Sequence, residues 1–139
     1  MTSMGNIMGM IAVDKMGAEV LFLNPLTYEV ETAIKGFPRT VHELLVVRET
    51  GTAYVPIFGD GIHGRNPNPG HLLCVIDLKN HVRAADIDLR PYLAPHTLKL
   101  GSDGLIYITC ENSASLRSSI ARRTLSWMRS TLGQLMATA

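Results

Sequence analysis

The stretch "VLFLNPLTYEVETAI" (20–34) has a counterpart in "LCVIDLKNHVRAADI" (73–87). Each reads as an apolar run, a polar stop, a turn and a second strand, and Asn24 falls on Asp77 and Ile34 on Ile87 at a spacing of about 53 residues. Outward from this pair, "VHELLVVRETGTAYVPI" (41–57) matches "PHTLKLGSDGLIYITC" (95–110) with one residue of slippage at the turn, which brings Tyr54 onto Tyr107. The unit is therefore four short strands. One opens at a histidine and runs into a tight glycine turn, one surrounds the tyrosine, one ends in Asn or Asp, and one is outermost. A repeat of this kind decides the fold, because a single unit cannot bury its apolar face except against a neighbour.

Each strand spans four to seven residues rich in Val, Ile, Leu and Tyr and is bounded by Gly, Pro, Asn or Asp, which suits a small antiparallel sheet. No long helical period appears before residue 112, so a helical solenoid is excluded. A two-sheet sandwich gives no reason for matched His, Gly, Tyr and Asp positions. Four-stranded antiparallel units at this spacing predict propeller blades. The expected architecture is all-β: a partial β-propeller over residues 1–112, one full blade with parts of two neighbours, followed by an atypical basic tail over 113–139.

Composition narrows the functional classes. At 139 residues the chain is long enough for one domain with its own core. Twelve acidic and nine basic residues precede Asn112, and the tail adds only Arg117, Arg122, Arg123 and Arg129. The mildly acidic body has no footprint for nucleic acid. Cys74 and Cys110 stand singly in apolar runs and read as buried thiols, which suits a reducing compartment. The opening "MTSMGNIMGMIAVDKMG" has no basic region and only a short apolar run. Neither a secretory signal nor a membrane span is expected, and the cytoplasm is the default location.

"PHTLKLGSDGLIYITCEN" together with "LCVIDLKN", and more loosely "VHELLVVRETGTAYVPI" with "LFLNPLT", resembles the YVTN-type repeat of lactonase-like seven-bladed β-propellers, over roughly residues 9 to 112. That pattern runs Pro-His, apolar strand, Asp-Gly turn, Tyr-Val strand, then Val-Ile-Asp. The first unit departs from it, with Val41 before its histidine and Glu49-Thr50-Gly51 at its turn. The resemblance implies a propeller fold. It leaves function open between lactone hydrolases and binding scaffolds.

The tail breaks the repeat. A third strand is due near residues 116 to 120, where the chain reads "LRSSI". As written, residues 117 to 136 suit a basic amphipathic helix with Ile120, Trp127, Met128, Leu132 and Leu135 on its apolar face, a type that binds membrane surfaces or protein partners. Read two bases further along the gene, TCN codons at Ser118 and Ser119 become xTC, which encode only Phe, Leu, Ile or Val. Ile120 becomes xAT, encoding only Tyr, His, Asn or Asp. Trp127 with Met128 then forces an Asp, and Met136 with Ala137 a Gly. The shifted frame thus permits the missing Val-Ile-Asp. A frame-shifted third blade, in the front portion of a longer propeller, is the expectation. A membrane partner enters only if the basic tail is genuine.

The longest insertion in the repeat is "GDGIHGRNPNPGH" (59–71). Gly59, Gly61 and Gly64 have GxGxxG spacing, but a dinucleotide fingerprint must open a helix, and Asn66-Pro67-Asn68-Pro69-Gly70 forbids one. A long loop at one rim is predicted, and such loops carry function. His42 and His96 share one repeat position, which the resemblance places nearest the channel, while His63 and His71 lie in or beside the loop. With Asp60, Glu43, Glu111 and Asn112 they are candidate ligand-binding residues, and His42, His96 and Glu111 the candidate ligands of a divalent metal in the full-length propeller. The plainer alternative is that the repeat histidines only bond the next blade and the loop histidines lie on the surface. His81, in a turn after Asn80, is expected in solvent. Two functions follow: a scaffold binding a small molecule or protein and inactive as a fragment, or a metal-assisted lactonase. Open sheet edges predict self-association of the fragment.

Overall fold

The computed structural model describes residues 9–38, 41–111 and 123–124. Among them the only helix is one short 3-10 turn, at Arg48–Thr50. The strands follow in three antiparallel meanders. The first sheet is β1 (Met10–Asp14), β2 (Glu19–Leu23) and β3 (Val30–Ile34), in chain order. The second is β4 (Leu45–Val47), β5 (Thr52–Pro56), β6 (Leu72–Asp77) and β7 (Val82–Asp88). The third is β8 (Pro95–Leu100) and β9 (Ile106–Cys110), with β10 (Arg123–Thr124) as its outer member. The chain is all-β, and its complete four-stranded sheet lies between two incomplete ones, as expected of a partial propeller.

The alternation of side chains across a strand sorts the apolar residues into two cores. In β5 and β6, Ala53, Val55, Cys74 and Ile76 pack with Val20 and Phe22 of the first sheet. The intervening Tyr54, Leu73 and Val75 pack with Leu98, Ile106 and Ile108 of the third. The middle sheet is thus covered on both faces. Leu73, Val75 and Ile76 are wholly buried, each contributing about 1.5–3 kcal/mol of apolar burial. The buried thiols belong to these layers, Cys74 on one side and Cys110 on the other.

The repeat holds at the level of single hydrogen bonds. Asn24 Oδ1 accepts from the amides of Leu26 and Thr27, and Asp77 Oδ1 from those of Lys79 and Asn80. Each turn closes on a residue with positive φ, Tyr28 at 62° and His81 at 55°. Each following strand pair carries the same irregularity, at Phe22/Leu23 and at Val75/Ile76. The slippage of one residue lies in the tight turns. Val47 pairs with Thr52, whereas Gly101 bonds Leu105 across a connection one residue shorter.

His81 corrects one expectation: rather than pointing into solvent, its ring stacks on Phe22 at 3.8 Å and 16°. This joins the second sheet to the first, and Arg83 places its guanidinium 5.0 Å over the ring of Phe37, in the connection that follows β3. The third strand expected at 116–120 lies outside the described residues, while Arg123 and Thr124 make a backbone pairing with Ile108 and Tyr107. Otherwise the residues of the proposed tail helix and of the frame-shift reading lie outside the described ones. Among the described residues no helix is long and apolar enough to cross a membrane.

Candidate functional site

Antiparallel order sends β4, β6 and β8 out from one end of the stack and returns β5, β7 and β9 to it. The loop 59–71 and every described candidate residue stand at this end. Its base is tied by backbone bonds: Val41 bridges Ile57, Gly70 N–H donates to Phe58, Ala94 N–H to Gly70, and Glu111 N–H to Ala94. The loop itself folds back through bridges at Gly59 with Pro69 and Ile62 with Arg65, not into a helix. Asn66 secures it from within, its side chain donating to the Phe58 carbonyl at 2.8 Å and accepting from Gly61 N–H at 3.2 Å.

His42 and His96 follow Val41 and Pro95, both buried at the entrance to equivalent strands. Anchored this way in adjacent units, the two imidazoles meet edge to face, 4.8 Å apart and inclined at 64°. Phe58 closes the cluster, 5.8 Å from His42 and 5.0 Å from His96, each near perpendicular. Glu43 completes it, with Oε1 3.4 Å from His96 Nδ1. One ligand atom from each of His42, Glu43 and His96 can be chosen so that all lie within 4.8 Å of one another, on half-buried side chains. Burial pushes the His42 pKa down from 6.5, aided by the charges of His96 and Lys15 and opposed by Glu43. His96 Nδ1 also lies 3.1 Å from Thr97 Oγ1.

Glu111 belongs to a second group at the rim. Its Oε1 accepts from Gly64 N–H and lies 3.1 Å from His63 Nδ1. Its Oε2 is buried and has no hydrogen-bond partner among the described residues. The His63 side chain is 91% exposed, so this pair adds little stability. Asp60 serves the loop's own fold, accepting from Asn68 N at 3.2 Å and Nδ2 at 2.6 Å. His71 stands apart, its Nδ1 3.1 Å from Asp88 Oδ1, and Asp88 is also gripped by Arg90. That Arg90 hydrogen bond is the largest cause holding the Asp88 carboxyl well below the usual carboxylate range. Asn112 lies outside the described residues.

The structure therefore brings together the repeat histidines with Glu43, and separately Glu111 with His63. Of the metal ligands expected from the sequence, Glu111 is not in the group around His42 and His96, and Glu43 stands in its place. Phe58 carried no signal in the sequence beyond being apolar at a strand end. No protein-family model matches the chain, and no curated protein shows significant similarity to it.

Proposed function

We propose that the chain is part of a propeller-type scaffold of the YVTN-repeat kind that binds a small polar molecule at the loop end of its blades. The observation carrying this reading is the convergence there of two inter-unit groups of unlike chemistry. One is the half-buried imidazole and carboxylate cluster around Phe58. The other is the Glu111 carboxylate, which keeps one buried oxygen without a partner beside His63. Apolar walls with a few convergent polar groups are the usual make-up of a ligand site. The scaffold works as part of a larger array, in which further blades cover the outer faces of the first and third sheets. The frame-shift reading of the tail belongs to this proposal, and resequencing the gene from codon 105 onward tests it. A restored Val-Ile-Asp supports it, and an unchanged frame refutes it.

The functional reading is tested by screening polar fragments against isotope-labelled protein by NMR at millimolar concentration. The expected hits shift the resonances of His42, His96, Gly64 and Glu111. Fragments that bind only elsewhere, or not at all, refute the site. The alternative, a lactonase-like hydrolase in the full-length form, is favoured by the metal-ligand character of the His42, Glu43 and His96 group. Opening of an aldonolactone above the buffer rate, lost in Glu43→Gln, decides for it.

A further inference from the structure

We infer that His42, Glu43 and His96 form a binding site for one divalent transition-metal ion of the zinc type. Two imidazoles and a carboxylate are the donor set of many such sites, and three protein ligands leave a coordination position open. Ligands about 2.0–2.2 Å from a shared ion in tetrahedral arrangement stand about 3.4 Å from each other. The His96 Nδ1 to Glu43 Oε1 separation is already 3.4 Å. The widest separation in the group is within 4.8 Å, which modest side-chain rotation closes.

Four further observations favour an ion over a chance cluster. The ligands come from two neighbouring repeat units, so the ion would tie one blade to the next. Their backbones are anchored beside buried Val41 and Pro95, by the Val41 bridge to Ile57 and the Pro95 pairing with Cys110. Phe58 packs against both imidazoles and limits their swing, so little ordering is left for the ion to impose. All three side chains are half-buried, which leaves an approach from the loop end for the ion and for a fourth ligand. The inference shares its location with the proposed ligand site but does not require that site's small molecule.

The test is titration of the chelator-stripped full chain with zinc by calorimetry and with cobalt by visible absorption. One equivalent is expected, with cobalt bands of four- or five-coordinate intensity. His42→Ala and His96→Ala should each weaken binding by more than about tenfold, an effect that even outer-sphere partners can produce. Glu43→Gln, which keeps the shape of the side chain, should weaken it too, while His63→Ala and His71→Ala should not. Thermal melts of each apo variant separate ligand loss from unfolding. Absence of uptake by the folded chain overturns the inference, as does uptake unchanged in both His42→Ala and His96→Ala. Metal uptake without any fragment bound would sink the small-molecule reading alone, and fragments bound without metal would sink this inference alone.

Discussion

Gly70 stands where no side chain fits. A Cβ there would lie 2.0 Å from the Ile57 carbonyl oxygen, while its amide bonds Phe58 and its carbonyl receives Ala94. Gly70→Ala should therefore cost about 1–3 kcal/mol, the range for overpacking, read as a lower urea midpoint. Burial governs two titrations. The Cys74 thiol is pushed up to about 12, first by burial. It should resist a thiol reagent at about pH 8 until the chain unfolds. His42 has its pKa held below 6.5 in the folded state, so as pH falls through 6.5 the unfolded chain takes the proton first. Stability should drop from about pH 7.5 to about pH 5.5, and less steeply in His42→Gln, by urea unfolding at each pH.

Among the elements, the turns that follow β2 and β6 are one device used twice. Asn24 and Asp77 accept the same pair of amides, while their other polar atom differs in role: Asn24 Nδ2 donates to Glu31 Oε1 at 3.1 Å, and Asp77 Oδ2 accepts from Asn80 Nδ2 at 2.7 Å. Asn24→Asp, which sets a second carboxylate against Glu31, should cost about 0.5 kcal/mol and less at high salt, whereas Asp77→Ala should cost about 1 kcal/mol, by chemical denaturation of each variant. This is the part of the fold that was legible in the sequence. Strand periodicity and short-range turn chemistry are local, and the repeat displays each of them twice. The tertiary partners were less legible. His81 looked like a solvent residue because nothing near it in the chain announces Phe22, which reaches it only when two sheets stack. The pairing of His42 with His96 followed from their shared repeat position. The choice of Glu43 over Glu111 depends on how the loop 59–71 folds back, and that rests on Asn66 and Gly70 bonding to Phe58.

At the scale of the whole molecule, the middle sheet is covered on both faces, and among the described residues the outer two are covered on one face each. Leu21 and Leu23 alternate with buried Val20 and Phe22 and turn half-buried apolar surface away from the second sheet. Tyr107, between buried Ile106 and Ile108, lies on the corresponding outer face of the third sheet. Single sheet faces of this kind favour association. The chain should sediment as oligomers at micromolar concentration, with Leu21→Lys shifting it towards monomer, and a wild-type monomer would count against that expectation. Everything proposed about function depends on the stacking of neighbouring units, which alone brings His42 to His96. The most direct measurement is the nuclear Overhauser effect between assigned ring protons. Cross-peaks linking His42 with His96 and both with Phe58, alongside Phe22 with His81, are the predicted result. Their absence, with the strand contacts inside each sheet intact, would show that the blades form without stacking and would contradict the account.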